Sequence, residues 1–90
     1  MNIVIVIPTY NENKNIGILI NKIRSLNTKY NLDILIIDDN SPDGTSKTIN
    51  YIQQNDNSLH LIQRKAKLGL GSAYCEGFKW AINNNFDFLI

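Results

Sequence analysis

The sequence predicts an α/β protein built on a parallel sheet, with elements in the order βαβαβαβ. Three observations lead there. Short runs rich in aliphatic and β-branched residues (Ile3 to Ile7, Asp33 to Ile37, Leu59 to Ile62, Phe86 to Ile90) are bounded by polar or turn-forming residues. That is the pattern of strands buried on both faces. Between them lie segments whose apolar residues recur at helical spacing. The links are short, and strand alternating with helix implies parallel pairing through right-handed crossovers.

The first strand, Ile3 to Ile7, is ended by Pro8, which removes a ladder donor. Asn13 or Asn15 then offers a cap for a helix. Ile16, Leu19, Ile20, Ile23 and Leu26 form one apolar stripe at i, i+3, i+4, i+7 and i+10. Asn27 to Asn31 is polar and turn-like. The second strand, Asp33 to Ile37, runs into Asp38-Asp39-Asn40-Ser41-Pro42-Asp43-Gly44-Thr45. A weakly patterned helix follows to about Gln54, with Ile49 and Ile52 as its clearest inward positions. After the third strand, Leu59 to Ile62, comes a basic, glycine-containing loop from Arg64 to Gly71. Leu70, Ala73, Tyr74, Gly77, Phe78, Ala81 and Ile82 then repeat at helical spacing, until Asn83-Asn84-Asn85 breaks the third helix. Phe86 to Ile90 is the fourth strand.

Composition narrows the function classes. Ninety residues, 43% hydrophobic and 19% charged, suit one globular domain at most. A net charge of +1 gives no electrostatic footprint for nucleic acid. No apolar run approaches the roughly 20 residues needed to cross a bilayer. Met1-Asn2-Ile3-Val4 lacks the cationic start of a signal peptide. Cys75 is the only cysteine, which fits a reducing cytoplasmic setting. A parallel strand is normally covered on both faces, so the final strand leads us to expect the N-terminal portion of a larger domain.

Candidate site residues cluster where strands end. Two acids after a buried run, Asp38 and Asp39, are costly together unless a cation, a sugar hydroxyl or a base edge meets them; one of them could instead serve as a cap. Open parallel sheets bind ligands at this carboxyl end. Pro8-Thr9-Tyr10-Asn11-Glu12 places a ring and a carboxylate at the end of strand one. They could stack on and hydrogen-bond a nucleobase or ribose, or form an ordinary loop whose acid favours the helix start. In Ser41-Pro42-Asp43-Gly44-Thr45, Pro42 fixes φ, Gly44 supplies freedom, and Ser41 or Asp43 can cap the next helix. Arg64, Lys65 and Lys67 beside Gly69 and Gly71 could meet a diphosphate or an anionic acceptor at a helix start, or be a solvated basic loop. His60 reads as structural, Cys75 as a small packed residue, and Phe78 and Trp80 as packing. Gly69-Leu70-Gly71 continues to Tyr74 where a dinucleotide fingerprint needs a small residue, and it follows the third strand instead of the first. An acid ending strand two keeps that alternative open. No P-loop pattern occurs.

Ile7-Pro8-Thr9-Tyr10-Asn11-Glu12, Ile36-Ile37-Asp38-Asp39-Asn40-Ser41-Pro42-Asp43-Gly44-Thr45 and Lys67-Leu68-Gly69-Leu70-Gly71-Ser72-Ala73-Tyr74, in this order, resemble the N-terminal half of a family 2 glycosyltransferase. Within that family the likeness is strongest to the polyprenyl (dolichyl) phosphate mannosyltransferases, and it covers essentially the whole chain. The resemblance implies a truncated Rossmann-like nucleotide-diphospho-sugar transferase fold, the glycosyltransferase A type. Residues 1–90 would form the N-terminal part of a single catalytic domain. It further implies GDP-mannose as donor and a polyprenyl phosphate at a membrane surface as acceptor. The setting would be the cytoplasm, peripheral to the membrane, on the cytosolic face of the endoplasmic reticulum in a eukaryote. Pro8, Tyr10 and Glu12 would contact the nucleoside, and Ile37 (through its backbone) and Asp39 the base or ribose. The loop carrying Arg64, Lys67, Gly69 and Gly71 would lie near the diphosphate or the lipid phosphate.

The family's Asp-x-Asp-type motif, which holds Mg²⁺ or Mn²⁺, is expected just after Ile90, and Asp87 is on the wrong side of its strand to replace it. The 90 residues alone are therefore expected to lack turnover. Two alternatives stay open: a family 2 transferase using a UDP-sugar and a hydroxyl acceptor, and a nucleotide-binding fragment without catalysis.

Overall fold

The computed structural model describes residues 2–26, 30–66 and 68–90. Four parallel strands form one sheet in the order β3-β2-β1-β4: β1 is Asn2–Thr9, β2 Asn31–Asp38, β3 Leu59–Gln63 and β4 Phe88–Leu89. Helices α1 (Ile16–Arg24), α2 (Thr45–Gln53) and α3 (Leu70–Asn83) alternate with them. The chain steps outward from β1 to β2 to β3, then returns to the other side of β1 for β4. With right-handed crossovers, such a reversal moves the next helix to the opposite face. That is the arrangement found: α1 and α2 cover one face and α3 the other.

Strand β2 shows why the sheet is fully buried at its centre. Its side chains alternate, with Ile34 and Ile36 meeting Ile16, Ile20 and Ile49, while Leu35 and Ile37 meet Ala73 and Ala81. All four β2 residues have no exposed surface, and burying each such side chain contributes roughly 1.5–3 kcal/mol. Helix α3 comes close enough to the sheet that a Cβ built on Gly77 would lie 2.7 Å from Val6 Cγ1 and 3.2 Å from Ile37 Cδ1. Small residues at 73, 77 and 81 make that approach possible.

Several expectations about faces are corrected. The apolar repeat of α3 resolves into two stripes: Ala73, Gly77 and Ala81 are buried, but Leu70, Tyr74, Phe78 and Ile82 are exposed. Neighbouring helical positions differ by about 100°, so both sets cannot face one sheet. Phe78 is therefore not a packing residue among the described residues, and Cys75, expected to be packed, is exposed. Leu19 of α1 and Leu26, two residues past its end, are exposed, and Ile16 and Ile20 form the buried edge. Trp80 does pack, with its ring 5.4 Å from Phe86 and 4.8 Å from His60. His60 Nε2 lies 2.7 Å from Asp33 Oδ2, a structural pairing. The turn expected over Asn27 to Asn31 falls largely on residues outside the described ones.

Candidate functional site

Asp38 ends β2 and Asp39 follows it, and the structure gives them separate tasks. Asp38 is fully buried. Its Oδ1 accepts hydrogen bonds from Thr9 Oγ1 at 2.7 Å and Ser41 Oγ at 2.6 Å, and its Oδ2 accepts from the Ser41 N–H at 3.0 Å. The carboxylate thus closes the turn after β2 and fastens it to the end of β1. Asp39 points to the other side. Its Oδ1 accepts from Arg64 Nε at 2.6 Å, and its Oδ2 from Arg64 Nη2 at 2.9 Å and from the Leu68 N–H at 3.3 Å. The cation that the paired acids required is supplied by the chain itself.

The loop after β1 is held by the turn after β2. Ser41 Oγ accepts the Asn11 N–H at 2.9 Å, Thr45 Oγ1 accepts the Glu12 N–H at 3.1 Å, and Asp43 Oδ2 accepts the Asn13 N–H at 3.0 Å. Thr48 Oγ1 also bonds Asn13 Oδ1. Asp43 Oδ1 in turn accepts the Thr45 N–H and hydroxyl, at 3.1 and 2.5 Å. The Thr45 hydroxyl, above all, holds the Asp43 carboxyl below its ordinary range. Ser-Pro-Asp-Gly-Thr is therefore more than a helix start. It is a three-acceptor cradle that sets the path of the Tyr10–Asn13 loop, with Gly44 at φ 89° providing a left-handed turn. Asn11 (φ 56°) and Asn40 (φ 58°) are left-handed as well, each directly after Tyr10 or Asp39. Asparagine tolerates that region better than other side chains do.

Pro8 belongs with Val4 and Val6 in the alternation of β1. Val6 N–H donates to Ile90 C=O, and Val4 C=O accepts from Ile90 N–H, so Pro8's missing donor falls on the β4 side. The β1–β2 ladder continues intact past it, with Asp39 N–H bonded to Thr9 C=O.

These elements enclose a hollow of about 220 Å³ lined by Pro8, Thr9, Tyr10, Glu12, Asp39, Gly69 and Leu70. Three distant segments supply its walls. A second hollow of about 240 Å³ shares Pro8, Thr9 and Glu12 but is otherwise lined by Ile7 of β1, by Asn15 just before α1, and by Ile16 and Leu19 of α1. The first is the better site candidate, because only there do the β1 loop, the β2 carboxylate and the start of α3 meet. Its volume is below the roughly 300–1,000 Å³ of a complete small-ligand pocket, so it suits one part of a larger ligand.

Of the residues singled out by sequence, Pro8, Tyr10, Glu12, Asp39 and Gly69 line this hollow. Ile37 lies one step deeper in β2, in register with Pro8 and Ile62, its side chain packed toward α3. Gly71 sits in the first turn of α3, outside the lining. Lys67 lies outside the described residues. Arg64 stands behind the wall at 6% exposure. It donates to Asp39, to Ser72 Oγ at 2.8 Å and to Gly69 C=O at 3.2 Å, with Glu76 3.7 Å away. Its bond to Asp39 holds the guanidinium pKa above its ordinary value, against the cost of burial. Sequence reasoning gave no site role to Thr9, Leu70 and Ser72, although all three stand inside the quoted motifs, nor to Glu76, which lies two residues beyond the last of them.

Among the described residues, no three His, Cys, Asp or Glu side chains are placed to hold a metal ion. Asp38 is occupied by Thr9 and Ser41, and Asp39 by Arg64 and Leu68. These groups do not fit a divalent cation site.

Residues 4–86 match the family described as glycosyl transferase family 2. The chain is 36% identical over 90 residues to the undecaprenyl-phosphate mannosyltransferase of Micrococcus luteus, covering 100% of this chain and 36% of that protein. To the polyprenol monophosphomannose synthase of Mycolicibacterium smegmatis it is 33% identical over 87 residues, covering 96% of this chain and 32% of that protein. The chain thus spans 36% and 32% of the length of these curated relatives. Its fold is similar to that of the mannosyltransferase PcManGT from Pyrobaculum calidifontis, solved in complex with GDP-Man and Mn²⁺. The TM-score is 0.78 at 23% identity, covering 88% of this chain and 24% of that one.

Proposed function

The chain belongs to glycosyl transferase family 2, and from that premise we propose that the protein carrying it transfers mannose from GDP-mannose to a polyprenyl (dolichyl) phosphate, with inversion at the anomeric carbon. The hollow where Tyr10, Glu12, Asp39 and Gly69 meet carries this reading. The names of the two bacterial relatives and the GDP-Man in the Pyrobaculum complex support it. Residues 1–90 form the nucleotide-binding part of the catalytic domain in this account.

Each wall has a chemical task. The Tyr10 ring offers a face on which a base can stack, and Glu12 and Asp39 are acceptors for N–H or O–H groups of base and ribose. The start of α3 beside Gly69 presents backbone N–H groups and the positive end of a helix dipole, which suit the diphosphate. An acceptor phosphate is already anionic at neutral pH. One of its oxygens attacks the anomeric carbon, the bond from that carbon to the diphosphate breaks, and GDP leaves. No side chain has to remove a proton, unlike transfer to a hydroxyl. The described residues contribute by holding the donor in one orientation. The transfer is proposed to require Mg²⁺ or Mn²⁺ with ligands other than these residues, and to take place at the cytosolic face of a membrane. No helix among the described residues is long and apolar enough to cross one.

The direct test incubates the intact protein with labelled GDP-mannose and a polyprenyl phosphate, with and without EDTA. Metal-dependent formation of a β-linked mannosyl phosphate lipid is expected. Transfer from a UDP-sugar to a hydroxyl acceptor instead would replace this assignment.

A further inference from the structure

We infer that Arg64 is a positioning residue for the donor nucleoside: it sets the Asp39 carboxylate and binds no phosphate itself. The inference deepens the nucleotide-sugar reading and rests on it. A basic residue in a glycine-containing loop before a helix would ordinarily be assigned to an anion. The hydrogen bonds say otherwise.

A guanidinium has five N–H donors in a rigid fork. Here Nε and Nη2 grip both oxygens of Asp39, Nη2 also donates to Gly69 C=O, and Nη1 donates to Ser72 Oγ with Glu76 beyond it. The side chain is 4% exposed. Four hydrogen bonds hold it within the protein, the Glu76 carboxylate lies 3.7 Å from Nη1, and the side chain stands behind Asp39, outside the lining of the hollow. A charge so placed cannot reach a diphosphate without abandoning a buried carboxylate.

The same contacts give Arg64 two arms. One fixes the plane of the Asp39 carboxylate at the hollow. The other, through Gly69 C=O and Ser72 Oγ, fixes where α3 begins, and the Leu68 N–H closes the circuit on Asp39 Oδ2. Gly69, at φ 94° and ψ 160°, holds a conformation that only glycine adopts readily. The nucleoside wall and the helix start are thereby set by one side chain.

The two roles separate cleanly when guanosine and GDP are titrated into the intact protein by calorimetry. Lysine keeps the charge of Arg64 but cannot span both carboxylate oxygens. Arg64→Lys is expected to weaken guanosine about tenfold and GDP by that factor times the loop-arm loss read from Ser72→Ala, and to have no further effect on guanosine once Asp39→Asn is present. Ser72→Ala, which cuts only the loop arm, is expected to weaken GDP about threefold and leave guanosine unchanged. It also serves as the test if Arg64→Lys does not fold. Loss confined to GDP in Arg64→Lys, guanosine loss in Ser72→Ala, or full additivity with Asp39→Asn would each overturn the inference. Wild-type protein that binds neither guanosine nor GDP would remove the underlying reading, a result distinct from these.

Discussion

At the amino end of the sheet, Arg24 joins the end of α1 to Asp56 and to the start of β2. Its Nε and Nη2 lie 2.7 and 3.1 Å from the two Asp56 oxygens, and Nη1 donates to Leu32 C=O at 2.5 Å. At the carboxyl end, Arg64 grips Asp39 with the same fork and donates to Gly69 C=O. The chemistry is shared but the surroundings differ. The Arg24 and Asp56 side chains are 28% and 18% exposed, against 4% and 10% for Arg64 and Asp39. Only the second pair adjoins the hollow built from three segments. One pair fastens a fold, and the other fastens a fold and aims a carboxylate.

The largest break in this comparison should come from removing each arginine. Arg64→Met leaves a buried carboxylate without its cation and is expected to cost about 3–5 kcal/mol. Arg24→Met should cost about 1 kcal/mol, because water can reach Asp56. Urea denaturation of both variants measures the gap, and equal losses would show that burial does not distinguish the two ends.

Next in size is the packing on the sheet of the helix that starts at the wall residue Leu70. Gly77→Ala should destabilise by about 1–3 kcal/mol, despite alanine's better helix propensity of about 1 kcal/mol. The new methyl would meet the stiff, β-branched Val6. A melting temperature at or above that of wild type would contradict the close approach.

A smaller effect separates the cradle from the amino end. Thr45→Val removes the acceptor for the Glu12 N–H and the donor to Asp43. It is expected to cost about 1–2 kcal/mol and to weaken GDP binding through the displaced Tyr10–Asn13 loop. Gln53→Ala, which loses a bond to Leu59 C=O at 2.9 Å, should cost about 0.5–1 kcal/mol without altering GDP affinity. Calorimetric titration of the two variants tells a site cradle from an ordinary tether.

The smallest effect is on pH. Asp43 has its pKa lowered from 3.8, chiefly by the Thr45 hydroxyl. A depressed carboxyl contributes stability above its unfolded value and loses it as pH falls through the folded one. The contribution is thus intact above pH 3.8 and fades below it. Asp43→Asn should flatten that acid limb, as followed by urea midpoints from pH 5 downward. An unchanged slope would mean the Thr45 bond does not favour the charged form.

The sequence announced this architecture wherever a local pattern sufficed. Ile34 to Ile37 reads as a strand buried on both faces because both faces are apolar, and a third helix reads after the basic loop because Leu70, Ala73, Tyr74 and Gly77 repeat at helical spacing. The rim was legible in outline through Tyr10, Glu12 and Asp39. What escaped depends on contacts distant in the chain. Asp39 meets Arg64 across 25 positions and Ser41 meets Asn11 across 30, and no local rule assigns such partners. The misplaced faces have another cause. Periodicity says that Ala73, Tyr74, Gly77 and Phe78 share a helix, but not which stripe turns inward. The approach at Gly77 decides that in favour of the small residues.

Amide shifts measured while GDP is titrated into ¹⁵N-labelled intact protein test the convergence at the carboxyl end most directly. The expected result is saturable movement at Tyr10, Glu12, Asp39 and Gly69, with Arg24, Leu32 and Asp56 unmoved. Movement centred on the amino end, or none at those four positions at saturating GDP, would contradict it.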